Sequence, residues 1–185
     1  MSLIEYIILS FALAIPVMPT IKACASSTHI RLTQGLFGCL QIALMHFVLL
    51  LMGMSIGRWL CLGMPEYDNL IYLGLLIIVA VRLLFAAFSK REIPAYDISR
   101  WSVWLLLGVA TGINTLFVGL GLGFLVSPLT DGLLAAIPLF FVMWLMCYLA
   151  VMLGRRDKPM RERRWLLLSA LFLLVFAIKG AFYGS

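Results

Sequence analysis

Six stretches of this chain are almost unbroken in their apolarity: Leu3 to Ile21, Gly35 to Met54, Leu70 to Phe88, Val103 to Val126, Leu133 to Gly154 and Trp165 to Phe182. A helix that crosses the hydrocarbon core of a bilayer needs about 20 mostly apolar residues. Each stretch is long enough to span with some tilt, and each is bounded by charge, Pro/Gly or Ser/Thr/Asn punctuation. A transmembrane strand would instead show about 10 residues of alternating polarity. The chain therefore reads as an all-α integral membrane protein of six transmembrane helices. Composition agrees, since 64% of the 185 residues are hydrophobic and 12% charged, against roughly 45–50% and 25% in a soluble domain. A soluble globular protein is excluded, and residues 1–185 read as a single transmembrane domain with very short loops.

The basic residues orient the spans. Twelve of the 14 Lys and Arg lie in or beside the first, third and fifth loops: Lys22 and Arg31; Arg82, Lys90, Arg91 and Arg100; Arg155, Arg156, Lys158, Arg161, Arg163 and Arg164. The second and fourth loops carry Glu66, Asp68 and Asp131 and keep only Arg58. Under the positive-inside rule the basic loops are cytoplasmic and both termini face outward. That placement also accounts for the net charge of +6. The charge is spread over three loops at one membrane face, so nucleic-acid binding is not expected. The first span begins with Glu5 instead of a basic segment and runs into Pro16, Pro19 and Lys22 without a small-residue cleavage site. It reads as retained rather than cleaved.

Two spans carry features that interrupt helices. In the first, Ala14-Ile15-Pro16-Val17-Met18-Pro19-Thr20 sets two prolines three residues apart. Each removes a backbone donor and crowds the preceding turn, so a break or kink is expected. In the fourth, Gly108, Gly112, Gly119, Gly121 and Gly123 surround Ala110-Thr111-Gly112-Ile113-Asn114-Thr115, the most polar stretch inside any span. The first and fourth helices open two three-helix units, about 1–90 and about 100–185, that run in opposite directions. Interrupted helices at matching places in two inverted repeats point to a midplane binding site where they cross. The same residues also have an architectural reading. Gly108/Gly112 and Gly119/Gly123 have the G-x-x-x-G spacing of close helix packing, and membrane helices tolerate proline.

No Asp or Glu lies in the middle of a span. The polar groups at membrane depth are Asn114, Thr111 and Thr115 in the fourth span and Gln41 and His46 in the second, with Arg82 about two turns from the end of the third. Arg82 is expected to snorkel towards Lys90, and Lys179 towards the outer face. His46 reads either as a metal ligand or proton carrier, or as a hydrogen-bonded histidine between helices. Cys24, Cys39, Cys61 and Cys147 form no C-x-x-C and read as small apolar side chains. Met18, Met45, Met52, Met54, Met143 and Met146 lack tight M-x-x-M clusters and read as packing residues. No Ser/His/Asp, H-E-x-x-H or paired-carboxylate arrangement occurs at membrane depth, so an enzyme is not expected.

These motifs resemble a known family. Ala110-Thr111-Gly112-Ile113-Asn114-Thr115-Leu116-Phe117-Val118-Gly119 resembles the A-T-S-[IL]-D-A-[LM]-A-V-G of MntP-type manganese exporters, small six-helix bacterial proteins of the LysE superfamily. Leu9-Ser10-Phe11-Ala12-Leu13-Ala14, Gly35-Leu36-Phe37-Gly38 with Gln41, Arg82-Leu83 and Ala177-Ile178-Lys179 resemble other segments of that family. The resemblance implies a multi-pass transporter of the bacterial cytoplasmic membrane that exports manganese(II), with no bound cofactor and with helices one and four crossing at a central ion site. The family's two intramembrane aspartates map to Pro16 and Asn114, and its acidic position late in helix three to about Ala86. Manganese(II) is a hard cation that prefers carboxylate, carbonyl and water oxygens. Asn114 supplies an oxygen without a charge and is the expected metal ligand, with Thr111 and Thr115 as further oxygen ligands. The Pro16/Pro19 break is expected to free the carbonyls of about Ala12 and Leu13, and Gln41 and His46 are the second-helix partners. The expected partners are the lipid bilayer and a small cation or solute, with a homodimer compatible. The alternatives are transport of a different small ion or solute, or a non-transporting paralogue that serves as a membrane subunit or regulator.

Overall fold

The computed structural model describes residues 3–28, 31–63, 68–88, 96–125, 129–155 and 162–183. Within them the chain forms α1 (Leu3–Ala14), α2 (Val17–Ser27), α3 (Leu32–Cys61), α4 (Asp68–Phe88), α5 (Trp101–Leu125), α6 (Leu129–Arg155) and α7 (Glu162–Tyr183). Helices are what a lipid environment demands, because hydrocarbon offers backbone N–H and C=O groups no partner outside the segment itself. Four helices are long and apolar enough to cross a membrane, and α1 with α2 makes a fifth if that bent pair is one span. In α7 a shorter apolar stretch is described, Arg164–Ile178. Large apolar side chains such as Phe85, Ile4, Leu106 and Leu171 point outward, others such as Tyr72, Leu50 and Leu139 fill the core, and Ser10, His46, Thr115 and Ser169 are buried with them. Glu66, Lys90, Arg91, Arg156, Lys158 and Arg161, which contribute to the expected orientation, lie outside the described residues.

The first span is broken where its prolines stand. α1 ends at Ala14, Pro16 caps α2 with φ −69° and ψ −15°, and the two axes bend by 42°. Proline at 16 has no N–H to offer the carbonyl of Ala12. That carbonyl is not left free for an ion, as the sequence led one to expect: the Ser169 hydroxyl of α7 donates to it at 2.5 Å, with both residues fully buried. The Ile15 carbonyl, four residues before Pro19, accepts from the Met18 N–H at 3.3 Å. Of the two carbonyls expected to be free at the break, that of Ala12 is therefore occupied by a protein group.

The fourth span departs from its expected interruption. α5 runs unbroken from Trp101 to Leu125 through all five of its glycines. Glycine costs a helix about 1 kcal/mol in propensity but keeps its N–H. In lipid there is no alternative backbone partner, so the helix persists. Pro138 likewise sits inside α6 without ending it.

What the glycines do instead is let backbones meet. α3 and α5 form the most extensive helix pair. A side chain at Gly53 or Gly57 would fall on the carbonyl oxygen of Leu116 or Leu120, and one at Gly123 on that of Met54. At Gly119 the Leu50 carbonyl oxygen would be 2.5 Å from a Cβ, far inside contact distance. α2 meets α6 in the same manner, with the Lys22 carbonyl 2.7 Å from a Cβ at Gly154. The other pairings are α4 with α7 and α5, α6 with α3, α1 and α2, and α1 with α7. These partners close into a ring in the order α3, α5, α4, α7, α1, α6. α1 and α5 are not adjacent in this ring, but both line a cavity of about 10 Å³ inside it, whose walls include Leu9, Ser10 and Leu13 of α1, Leu122 of α5, Leu50 and Leu139. That is room for about one water.

The segment leading into α5 is tied to its surroundings. Tyr96 donates its N–H to Cys24 Sγ at 3.4 Å, and the buried Trp104 indole donates to the Ile98 carbonyl at 2.8 Å. Hydrogen bonds from Ser99 hold the Asp97 carboxyl below its ordinary value.

Two substitutions test this packing in the purified protein. Gly119→Val should lower the thermal midpoint by the equivalent of about 1–3 kcal/mol or more, as overpacking does. Gly74→Ala, where an added carbon meets nothing within 4 Å, should not lower it. Ser169→Ala should cost about 1–3 kcal/mol by orphaning the Ala12 carbonyl; an unchanged midpoint would show that water replaces the hydroxyl.

Candidate functional site

The polar residues picked out by sequence fall into two groups along α5. His46 of α3 is fully buried, with Nδ1 2.7 Å from Thr115 Oγ1 and Nε2 3.1 Å from Thr111 Oγ1. Both threonines belong to α5 and lie one turn apart, so a single imidazole bridges them. The bonding of Thr111 assigns the tautomer. Its hydroxyl donates to the Leu107 carbonyl at 2.7 Å, which leaves its oxygen to accept from His46 Nε2–H. Nδ1 then carries no proton and accepts from the Thr115 hydroxyl. Every polar atom of the trio is used inside the α3–α5 interface, and Thr115 is as fully buried as His46.

Asn114 belongs to the second group. It is partly buried on α5, and its Oδ1 accepts a hydrogen bond of 2.8 Å from Arg82 Nη1 on α4. Arg82 is exposed and bonded to this neighbouring helix, while Lys90, towards which it was expected to reach, lies outside the described residues. A guanidinium at membrane depth gains from a charge-assisted bond to a carbonyl acceptor within reach. This partner was legible only in part, because sequence placed Arg82 in the membrane but could not say which helix it faces.

The remaining candidates stand apart. Gln41 Oε1 is buried and has no hydrogen-bond partner, and Gln41 does not join the histidine trio. Pro16 and Pro19 lie on the span that packs chiefly against α6 and α7, and no bond among the described residues joins them to Asn114. Among the described residues, no three of His, Cys, Asp and Glu come together in a group that could hold a metal ion. The structure also brings forward residues that sequence reading passed over. Gly53 and Gly57 complete the α3–α5 seam, and their four-residue spacing, which continues to Cys61, was the signal available.

Comparison with known proteins places this arrangement. The family model described as "Putative manganese efflux pump" matches residues 29–180. The chain belongs to the MntP family. A curated MntP relative from Shouchella clausii is 27% identical over 142 residues, 76% of this chain and 76% of that protein. Relatives from Yersinia pestis and Yersinia pseudotuberculosis are 25% identical over 177 residues, covering 94% of this chain and 92% of theirs. Each is named "Putative manganese efflux pump MntP". No solved structure matches the chain. As a member of MntP this is a multi-pass membrane protein, and its apolar helices agree with that membership.

The asymmetry between losing one hydrogen-bond partner and losing both gives a test of the trio. Thr115→Val should destabilise the protein by about 1–3 kcal/mol by stranding His46 Nδ1. In a double-mutant cycle, His46→Leu with Thr115→Val should cost less than the sum of the single changes. Strict additivity in detergent denaturation would mean that the two side chains do not bond.

Proposed function

We propose that this chain is a membrane transporter of the MntP type whose central ion site is altered at Pro16 and Asn114. It moves a small ion or solute other than a bare divalent cation. The observation that carries this reading is the 2.8 Å hydrogen bond from Arg82 to Asn114. The residue that would be carboxylate in the manganese site is a neutral amide here, and a fixed positive charge is bonded to it. A divalent cation held ~5 Å from that guanidinium is opposed by about 7 kcal/mol at an effective dielectric of ~20. An aspartate would offset that repulsion and asparagine does not. A monovalent ion, or a neutral or zwitterionic solute able to place an acceptor beside Arg82, meets a smaller barrier.

The pairing of helices supports the two-repeat reading as well. With α1 and α2 taken as one span, exchange of α1 with α5, α3 with α6 and α4 with α7 maps the set of packed pairs onto itself: α3–α5 becomes α6–α1, α4–α5 becomes α7–α1, and α3–α6 and α4–α7 are unchanged. Two inverted three-span units, with six crossings and outward termini, give that symmetry its simplest origin. A second reading, a membrane subunit or regulator that transports nothing, draws on a different observation. A cavity lined by described residues inside the ring is small, about 10 Å³, with mostly apolar walls.

Expression in a manganese-sensitive bacterial strain lacking its exporter separates these readings. The wild-type chain should neither restore growth in manganese nor lower cell manganese. Asn114→Asp combined with Arg82→Gln, which restores a carboxylate and removes the opposing charge, should gain measurable relief. Export by the wild type that Asn114→Ala abolishes would overturn the altered-site reading and make Asn114 a manganese ligand.

A further inference from the structure

Three helix ends converge at the end of the bundle opposite Arg31 and Arg100. They are the C-terminus of α3, the N-terminus of α4 and the C-terminus of α5. Cys61, the last residue of α3, directs its Sγ at Asp68, the first of α4, with 3.3 Å to Oδ2. The same sulfur lies 4.0 Å from the carbonyl oxygen of Phe124 in the last turn of α5. The other carboxylate oxygen, Asp68 Oδ1, is buried and has no hydrogen-bond partner. A buried carboxylate oxygen with nothing to bond is costly, and such orphans call for an explanation.

We propose that Cys61, Asp68 and the Phe124 carbonyl bind a divalent transition-metal ion. The spacing fits. Ligands about 2.3 Å (sulfur) and 2.0–2.2 Å (oxygen) from one tetrahedral ion lie roughly 3.5 Å apart. The two sulfur–oxygen distances here, 3.3 and 4.0 Å, bracket that value. A thiolate, a carboxylate and a carbonyl, with water as the fourth ligand, suit zinc(II) or cobalt(II) better than magnesium or calcium. The ion takes the place of the thiol proton, which leaves to solvent as the metal–sulfur bond forms. The C-terminal ends of α3 and α5 turn negative dipole ends to this point, which favours a cation, while the N-terminus of α4 opposes one. Arg58, one turn back on α3, is close enough to act electrostatically on Cys61. Its positive charge opposes the ion, and its side chain is exposed. The site closes one end of the seam that carries His46 and the glycines, and it stands whatever solute the chain moves.

Titration of the purified full-length protein in detergent with cobalt(II) tests the proposal. Wild type should bind one equivalent with a sulfur-to-cobalt charge-transfer absorption, and zinc(II) should displace it. Cys61→Ser should abolish the band. Asp68→Asn should keep the band and weaken binding at least tenfold. Cys39→Ala and Cys147→Ala, whose thiols are buried elsewhere in the core, should change neither. Thermal unfolding gives an independent readout, since zinc(II) should raise the midpoint of wild type and not that of Cys61→Ser. Absence of cobalt binding by wild type, a band that survives Cys61→Ser, or full affinity in Asp68→Asn would each overturn the site. None of these outcomes bears on manganese export, so the two readings fail separately.

Discussion

Contact between the backbones of α3 and α5 is the constraint on which the rest of this structure depends. In a bilayer, helices gain little from hiding apolar side chains from one another, because lipid is equally apolar. What holds them is dispersion between closely fitted surfaces and the few polar bonds that form across them. Gly53 and Gly57 on one helix and Gly119 and Gly123 on the other remove the side chains that would keep the backbones apart. Only at that separation can His46 reach two threonines of α5 at once.

That contact fixes what lies beside it. With His46, Thr111 and Thr115 turned into the seam, Asn114 faces α4, where Arg82 meets it. The polar residues of the fourth span are thus divided between a closed network and a charged pair, instead of being gathered round an ion. The broken first span is treated in the same economical manner, its orphaned carbonyl taken up by Ser169 across the ring. A chain that is 64% hydrophobic has few polar groups, and nearly all of those inside the bundle are paired with one another. The exceptions stand out for that reason. Among the described residues Gln41 Oε1, Asp68 Oδ1 and Trp144 Nε1 are buried without partners, and of these Asp68 lies beside a thiol that also reaches a helix-end carbonyl.

Proline and glycine taught different lessons when read from sequence. Either residue can interrupt a helix, and of those inside the first and fourth spans only Pro16 does. Pro138 shows that even proline breaks a helix only when nothing nearby tolerates the lost bond. The alternative reading of Gly119/Gly123, as a packing face, is what the structure bears out. The matching glycines on α3 carried the same spacing and were overlooked, since they lie among ordinary apolar residues.

Sequence by itself determined the environment, the helical class, the break at Pro16 and the family, because these depend on composition, on local backbone chemistry and on a motif read in order. It also named the polar residues of the interior, since so few exist. Tertiary structure decided which of them meet. Whether His46 faces Thr111 or Gln41, whether Arg82 turns to Asn114 or to the membrane surface, and whether Cys61 touches Asp68 depend on the rotation and depth of helices. Those are set by steric fit between distant segments, which no local pattern encodes. The replacement of a carboxylate by Asn114 was visible in the sequence, but the positive charge bonded to it was not.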